Sequence, residues 1–239
     1  MKLFDIFKKK NSLNDETSIK PEIIIESINS PDQNHTAKLI TNSKKVFIVV
    51  DGKKSKEYDG ISPESIVFSP DSSRLAFRAK KLDEKLYKQY KTKGLGLLGL
   101  EKAVKKLVVV DEKELDGYDG SISEALIFSP NSKHLAYQAF ILGREFVVVD
   151  GEKGKDYRMA STPVFGPDSE HIAFVASRTG STFFVVFDGK ESQECEEMPW
   201  QNIEFDGPTK LIVSVTLNHK KCKLRLELTG IGLHENIIS

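Results

Sequence analysis

Three histidines and two sets of aspartates recur along this 239-residue chain in places that invite chemistry. His35, His134 and His171 are candidate metal ligands. Asp51, Asp111, Asp150 and Asp188 are candidate carboxylates of the kind that cleave glycosidic bonds as acid and base, and Asp32, Asp71 and Asp168 form a second acidic set. The pattern argues against each reading. Every one of these histidines stands immediately before an apolar run, and Arg74 and Lys210 hold that place in other copies. A position that accepts Arg and Lys asks for a long polar donor, and the local spacing of a metal site is absent. Three of the four aspartates precede Gly, as Asp51-Gly52, Asp150-Gly151 and Asp188-Gly189, which is turn chemistry. No GxSxG elbow, P-loop or HExxH motif occurs. Cys195 reads as a buried structural thiol rather than a nucleophile. The expectation is no catalytic residue, no metal and no cofactor.

These residues punctuate a repeat. An apolar run ending in Asp recurs as FIVVDG (47–52), LVVVDE (107–112), FVVVDG (146–151) and FVVFDG (184–189). Tyr58, Tyr118 and Tyr157 follow at one fixed spacing, with Cys195 in the fourth copy. Phe68, Phe128 and Phe165 then lead into SPDSSRLAF (69–77), SPNSKHLAY (129–137) and GPDSEHIAF (166–174). A weaker copy, SPDQNHTAKLI (30–40), precedes them. Phe205 leads into an eroded one, DGPTKLIVS (206–214). Self-similarity at about forty residues signals a stacked or radial repeat architecture. Within a copy, SIVFS (65–69) reads as a strand, SPDSS as a turn, RLAFRA (74–79) as a half-buried strand and LVVVD (107–111) as a central strand buried on both faces. A more polar fourth strand follows.

Five such units fall near 22–60, 61–120, 121–159, 160–198 and 199–239, behind a tail over 1–21. The fold expected is all-β: a five-bladed β-propeller over 22–239, built of four-stranded antiparallel blades, with a helical or irregular insertion (81–104) in blade two. Phe68, Phe128, Phe165 and Phe205 should be buried between neighbouring sheets, with Leu75, Leu135, Ile172 and Leu211. The ring should close at a seam of side-chain packing to which Ile23, Ile24 and Ile25 contribute.

FSPDSSRLAF and FSPNSKHLAY resemble the WD40-like repeats of bacterial TolB-type propellers, summarised as FSPDGKxIAF, and the VVVDGK segments are similar to proteins of that group. The resemblance covers about residues 28–216. It implies the propeller fold and names no function. TolB-type proteins are commonly periplasmic and often six-bladed, whereas five units are counted here. The Gly-His and Trp-Asp pairs of eukaryotic WD40 repeats are missing.

The insertion is where the repeat breaks: KLDEKLYKQYKTKGLGLLGLEKAVKK (81–106). DEKLYKQYK has helix-forming composition. The strand order places this connection on the same face as the links between units. Tyr87, Tyr90, Leu97 and Leu98 are candidate apolar anchors for a protein partner, with Lys85, Lys88 and Lys91 as their charged rim. The reading preferred is a noncatalytic scaffold for protein–protein interaction, docking through this basic-apolar insertion. The alternative is a small-ligand-binding or hydrolase propeller that uses acidic residues at the channel mouth.

Bulk numbers set the remaining bounds. Thirty-five basic residues balance thirty-five acidic ones, so no global charge attracts nucleic acid. Two cysteines make no disulfide framework. No apolar run is long enough to span a membrane. MKLFDIFKKK lacks the order of a secretory signal, although Leu3, Phe4 and Phe7 ahead of Lys8–Lys10 could touch a membrane weakly. The compartment expected is cytoplasmic.

Overall fold

A computed structural model describes residues 22–115, 121–200 and 203–238. Tyr118, and the tail with Leu3, Phe4 and Phe7, lie outside the described residues. The first sheet takes its strands in chain order: β1 (Ile23–Asn29), β2 (Thr36–Thr41), β3 (Val46–Val50) and β4 (Lys53–Lys54). The second holds β5 (Gly60–Ile61) and β6 (Val67–Phe68), both paired with β7 (Leu75–Leu82), then β8 (Val104–Val110) and β9 (Lys113–Leu115). Between β7 and β8 stand two helices, α1 (Glu84–Thr92) and α2 (Gly96–Ala103). The third sheet is β10 (Ser121–Phe128), β11 (Leu135–Ile141), β12 (Arg144–Val149) and β13 (Glu152–Lys153). The fourth has β14 (Met159–Ala160) and β15 (Val164–Phe165) on β16 (Ile172–Ser177), then β17 (Phe184–Phe187) and β18 (Lys190–Glu191). The fifth is β19 (Ile203–Phe205), β20 (Lys210–Leu217), β21 (Lys220–Thr229) and β22 (Gly232–Ile238). Every pairing is antiparallel, and among the described residues no strand from one end of the chain completes a sheet at the other.

Two turns recur and fix this order. At the first, Ser69 Oγ donates to Asp71 Oδ1 (2.6 Å) and accepts the Arg74 N–H (3.0 Å); Ser30 and Ser129 do the same in their sheets. At the second, Asp51, Asp150 and Asp188 take φ between 47° and 52° ahead of a positive-φ Gly, the geometry of a two-residue hairpin turn that favours Asp-Gly.

The first turn also links neighbouring sheets. The Asp32 N–H donates to Ser72 Oγ (3.1 Å), Asp71 to Ser132 (3.0 Å) and Asn131 to Ser169 (2.9 Å). Each accepting Ser has a left-handed φ. The equivalent residue of the first sheet is Gln33, and the turn of the fifth carries no Ser: six residues separate Phe165 from Ile172, but five separate Phe205 from Leu211. The ladder therefore spans sheets one to four and stops at both ends.

Four cores join the sheets in series. Leu39, Ile48, Tyr58, Phe77, Leu107 and Val109 lie between the first and second. Val108, Val110, Leu135, Tyr137, Phe146 and Val148 lie between the second and third. Val147, Tyr157, Phe174, Phe184 and Val186 lie between the third and fourth. Val185, Phe187, Leu211, Val213, Leu224 and Leu226 lie between the fourth and fifth. The third strand of each inner sheet thus supplies alternate residues to both neighbours, which is why LVVVD and FVVV are apolar throughout.

The packing corrects two expectations. Phe68, Phe128, Leu135 and Leu211 are buried, but Phe165, Phe205, Leu75 and Ile172 are only half-buried. The seam expected between the first and fifth sheets is not formed: among the described residues no core joins them, and Ile23 and Ile24 are 58% and 55% exposed. The outer side of the fifth sheet explains this. Its strands turn Ile212, Ser214, Thr216, Lys223, Arg225 and Glu227 away from the fourth, a mainly polar surface of the kind that caps a stack. No helix among the described residues is long and apolar enough to cross a membrane.

Candidate functional site

Each candidate ligand or acid is engaged inside its own sheet. His35 Nδ1 lies 2.5 Å from Asp51, His134 Nδ1 lies 2.7 Å from Asp150, and His171 Nδ1 meets Asp188. Arg74 Nε takes the same role on Asp111 at 2.7 Å, and Lys210 pairs with Glu227 at 3.2 Å. The second oxygen of the Asp accepts the next backbone N–H, from Leu75 (3.1 Å), Leu135 (2.9 Å) or Ile172 (2.8 Å). The constellation ties the hairpin turn to the second strand, and Arg can replace His because only a donor is needed.

The protonation states follow. The side-chain hydroxyl of Ser30, the Asn34 N–H and further hydrogen bonds outweigh burial and hold Asp32 at about 2; Ser69 leads a similar set that pulls Asp71 down. A general acid at neutral pH needs the opposite shift. Burial pushes the Cys195 thiol up to about 11, with Cys222 and Glu235 adding to it, which keeps it protonated and unreactive.

The hydrogen bond to Asp51 raises His35 above its ordinary 6.5, and the same bond lowers Asp51 below its ordinary 3.8. A raised His contributes stability that is complete below 6.5 and is lost as pH rises through the raised value. A lowered Asp contributes stability that is complete above 3.8 and is lost as pH falls through the lowered value. The pair therefore supports the first sheet most between these limits. Denaturant midpoints measured across that span should exceed those above it, and His35→Gln should flatten the alkaline limb. A limb unchanged by His35→Gln would show that the pair adds nothing.

A cleft of about 780 Å³ opens between the first and second sheets on the face of the turns. Its charges are consumed in the pairs His35–Asp51, Arg74–Asp111 and Lys53–Glu112. One sheet further on, Arg74 Nη1 reaches the carbonyls of Ser132 (2.9 Å) and Lys133 (2.6 Å) and covers that interface.

The opposite face carries the links between sheets and the connections from second to third strand, because the two recurring turns occupy one face and antiparallel order sends the rest to the other. Here β7 and β8 run on past their neighbours, pairing Lys81 with Lys105 and Leu82 with Val104, and the two helices stand on their ends. The Asp83 side chain caps α1 by accepting the Leu86 N–H (2.9 Å), and its own N–H closes the base on the Ala103 carbonyl (2.8 Å). Gly94 at φ 75° turns the chain between the helices. Gly99 lets them touch: a Cβ there would stand 2.1 Å from the Tyr90 Cβ. Lysines 80, 81, 105 and 106 belong to the strands, so the helical insert proper is narrower than the sequence suggests.

Of the predicted anchors, Tyr87 and Tyr90 are half-buried, with Tyr90 packed on Gly99, so it serves the hairpin itself. Leu98 is 61% exposed, and Lys85, Lys88 and Lys91 all face solvent. The side chain of Leu97 lies outside the described residues. Sequence reasoning missed Leu95, Phe140 and Leu142, which are also exposed. Leu142, at the turn between β11 and β12 in the adjoining sheet, is 96% exposed with φ 48°. An exposed Leu in a left-handed turn that favours Asn or Asp is the signal that would have found it. Among the described residues, Leu95, Leu98, Phe140 and Leu142 are thus exposed apolar side chains at this face.

No family model and no curated protein matches the chain. Solved structures similar to it include TolB from Acinetobacter baumannii (13% identity, TM-score 0.37, covering 92% of this chain and 55% of that one). A eukaryotic initiation factor is similar at 12% identity and TM-score 0.47, over 90% of this chain and 55% of that one. The β-propeller domain of the Trilobed protease from Pyrococcus furiosus is similar at 12% identity and TM-score 0.44, over 92% and 72%. The chain spans about half the length of the first two.

Proposed function

We propose that the five sheets are blades of a noncatalytic β-propeller scaffold that holds a protein partner through the helical hairpin of its second blade. One observation carries this reading: no side chain of α1 is fully buried, and its lysines face solvent. The hairpin is firmly mounted by Asp83 and Ala103 and presents Leu98 beside Lys85, Lys88 and Lys91. Apolar anchors within a charged rim are what protein interfaces use. The exposed turn at Leu142 in the next blade extends the same surface. The hydrolase alternative finds no support in the acids of the turns, which are engaged in hydrogen bonds and ion pairs within their own sheets.

The test begins with a photo-crosslinking residue at Leu98 and, as control, at Lys133 on the opposite face. A protein captured at 98 alone is purified and titrated against the intact chain and against a variant in which Asn-Gly joins Leu82 to Val104. The β11–β12 turn, Leu142-Gly143, shows that two residues suffice for this connection. The variant should melt like the parent and bind the partner about tenfold more weakly or worse, as expected when central anchors are lost. Equal affinity in the two chains would refute the docking reading.

A further inference from the structure

The repeat changes its packing residues at one interface, and a second site lies beside it. Tyr58 bridges to Val46, the start of the third strand of its own sheet, and Tyr157 bridges likewise to Glu145. Each Tyr ring meets a Phe of the next sheet edge-on at 5.8 Å, Phe77 and Phe174 respectively, and gives its hydroxyl to Glu114 (3.3 Å) or Glu191 (3.1 Å). At the fourth interface the same bridge joins Phe183 to Cys195. The register of β19 on β20 puts Val213 where those Phe residues stand. Both replacements are smaller.

Cys195 and Val213 are both buried in the core between these sheets, and the segment that follows Cys195 packs on that core. Met198 is buried there, and the Trp200 ring stands edge-on to Phe183 at 5.3 Å. Beside this core, on the face that also bears the hairpin, lies an open cleft of about 770 Å³ walled by Phe183, Met198, Trp200, Val215 and Cys222, with the outward-facing Ser214, Thr216, Lys221 and Lys223 along its side. Its charged groups are Glu197, Lys221 and Lys223. Glu197 accepts the Thr216 hydroxyl (3.2 Å), whereas the two lysines are exposed and make no ion pair among the described residues. The rim is therefore net positive. The cleft is open along the lysines, so it does not enclose a whole small molecule as ligand cavities do. It suits one side chain turned in from a segment that crosses the rim.

We propose that this cleft receives an aromatic side chain from an acidic stretch of a protein partner, with the partner's carboxylates on Lys221 and Lys223. Trp200 and Phe183 offer the ring geometry that aromatic groups prefer, and Met198 a polarizable floor. The inference is independent of the hairpin, which belongs to another sheet and has its own variant.

Trp200 is the only tryptophan in the chain, so its fluorescence reports occupancy directly. The probe is the capped peptide Asp-Asp-Phe-Asp-Asp, compared with Lys-Lys-Phe-Lys-Lys, Asp-Asp-Ala-Asp-Asp and free phenylacetate, all with the full chain. The acidic Phe peptide alone should give a saturable change. Lys221→Glu with Lys223→Glu should weaken it by about tenfold, since both are rim charges whose loss leaves the fold intact. The same peptide should slow alkylation of half-buried Cys222, while buried Cys195 stays unreactive. Overturning results are an equal response to the basic peptide, no effect of the double substitution, no saturable signal in either readout, or phenylacetate binding as tightly as the peptide.

Discussion

A chain ending at Met198 is expected not to fold. Ala173, Val175, Val185 and Phe187 of the fourth sheet are fully buried, and what covers them is Leu211, Val213, Leu224 and Leu226 of the fifth. Exposing a buried Val, Leu or Phe costs roughly 1.5–3 kcal/mol each. Uncovering the apolar face of the fourth sheet sums to the order of 10 kcal/mol, comparable with the whole stability of a domain. The truncated protein should lack a cooperative thermal transition, measured by circular dichroism. A melt within a few degrees of the parent would mean that the fourth core is not a weld between sheets. Removing the helical hairpin is expected to have the opposite outcome, because no side chain of α1 is fully buried and the strands beneath it can close with a two-residue turn.

Tyr157→Ala should be the most damaging single substitution of a repeat residue, at about 3–5 kcal/mol for losing a fully buried aromatic ring. The ring lies edge-on to Phe174 at 5.8 Å and to Phe184 at 5.7 Å, bridging the third and fourth sheets. Tyr157→Phe keeps both contacts and gives up only the bond to Glu191. That carboxylate retains Lys155 at 2.8 Å and Arg178, so this change should cost about 1 kcal/mol. Urea denaturation of the two variants separates the terms. If Phe were as costly as Ala, the hydroxyl rather than the packing would hold the interface.

The repeat was legible because its residues act locally. Ser-Pro-Asp closes on its own backbone, Asp-Gly takes a left-handed turn, and His or Arg reaches the Asp of the same sheet, so sequence spacing alone identifies them. Features set by a neighbour were not legible. Phe165 and Phe205 match Phe68 and Phe128 in the repeat, yet they are less buried. Ile23 and Ile24 read as core residues, but the surface that would cover them had to come from the fifth sheet, whose outer side is mainly polar. Lysines 81, 105 and 106 looked like part of the insertion because strands that outrun their neighbours need no apolar alternation. The departure at Cys195 was visible from the spacing. The cleft beside Trp200 was not, because it is set by how the segment after Cys195 lies against β20 and β21.

The most direct test of sheets joined in series, with four cores and no fifth among the described residues, is native-state hydrogen exchange resolved by sheet. Sheets at the ends have one neighbour each and should open at lower free energy than those between two. Amides of β2, β3, β20 and β21 are expected to exchange through partial openings below the global unfolding free energy, while those of β11, β12, β16 and β17 exchange only with global unfolding. Uniform protection across all five sheets would contradict this account and would require that the first and fifth sheets close a ring.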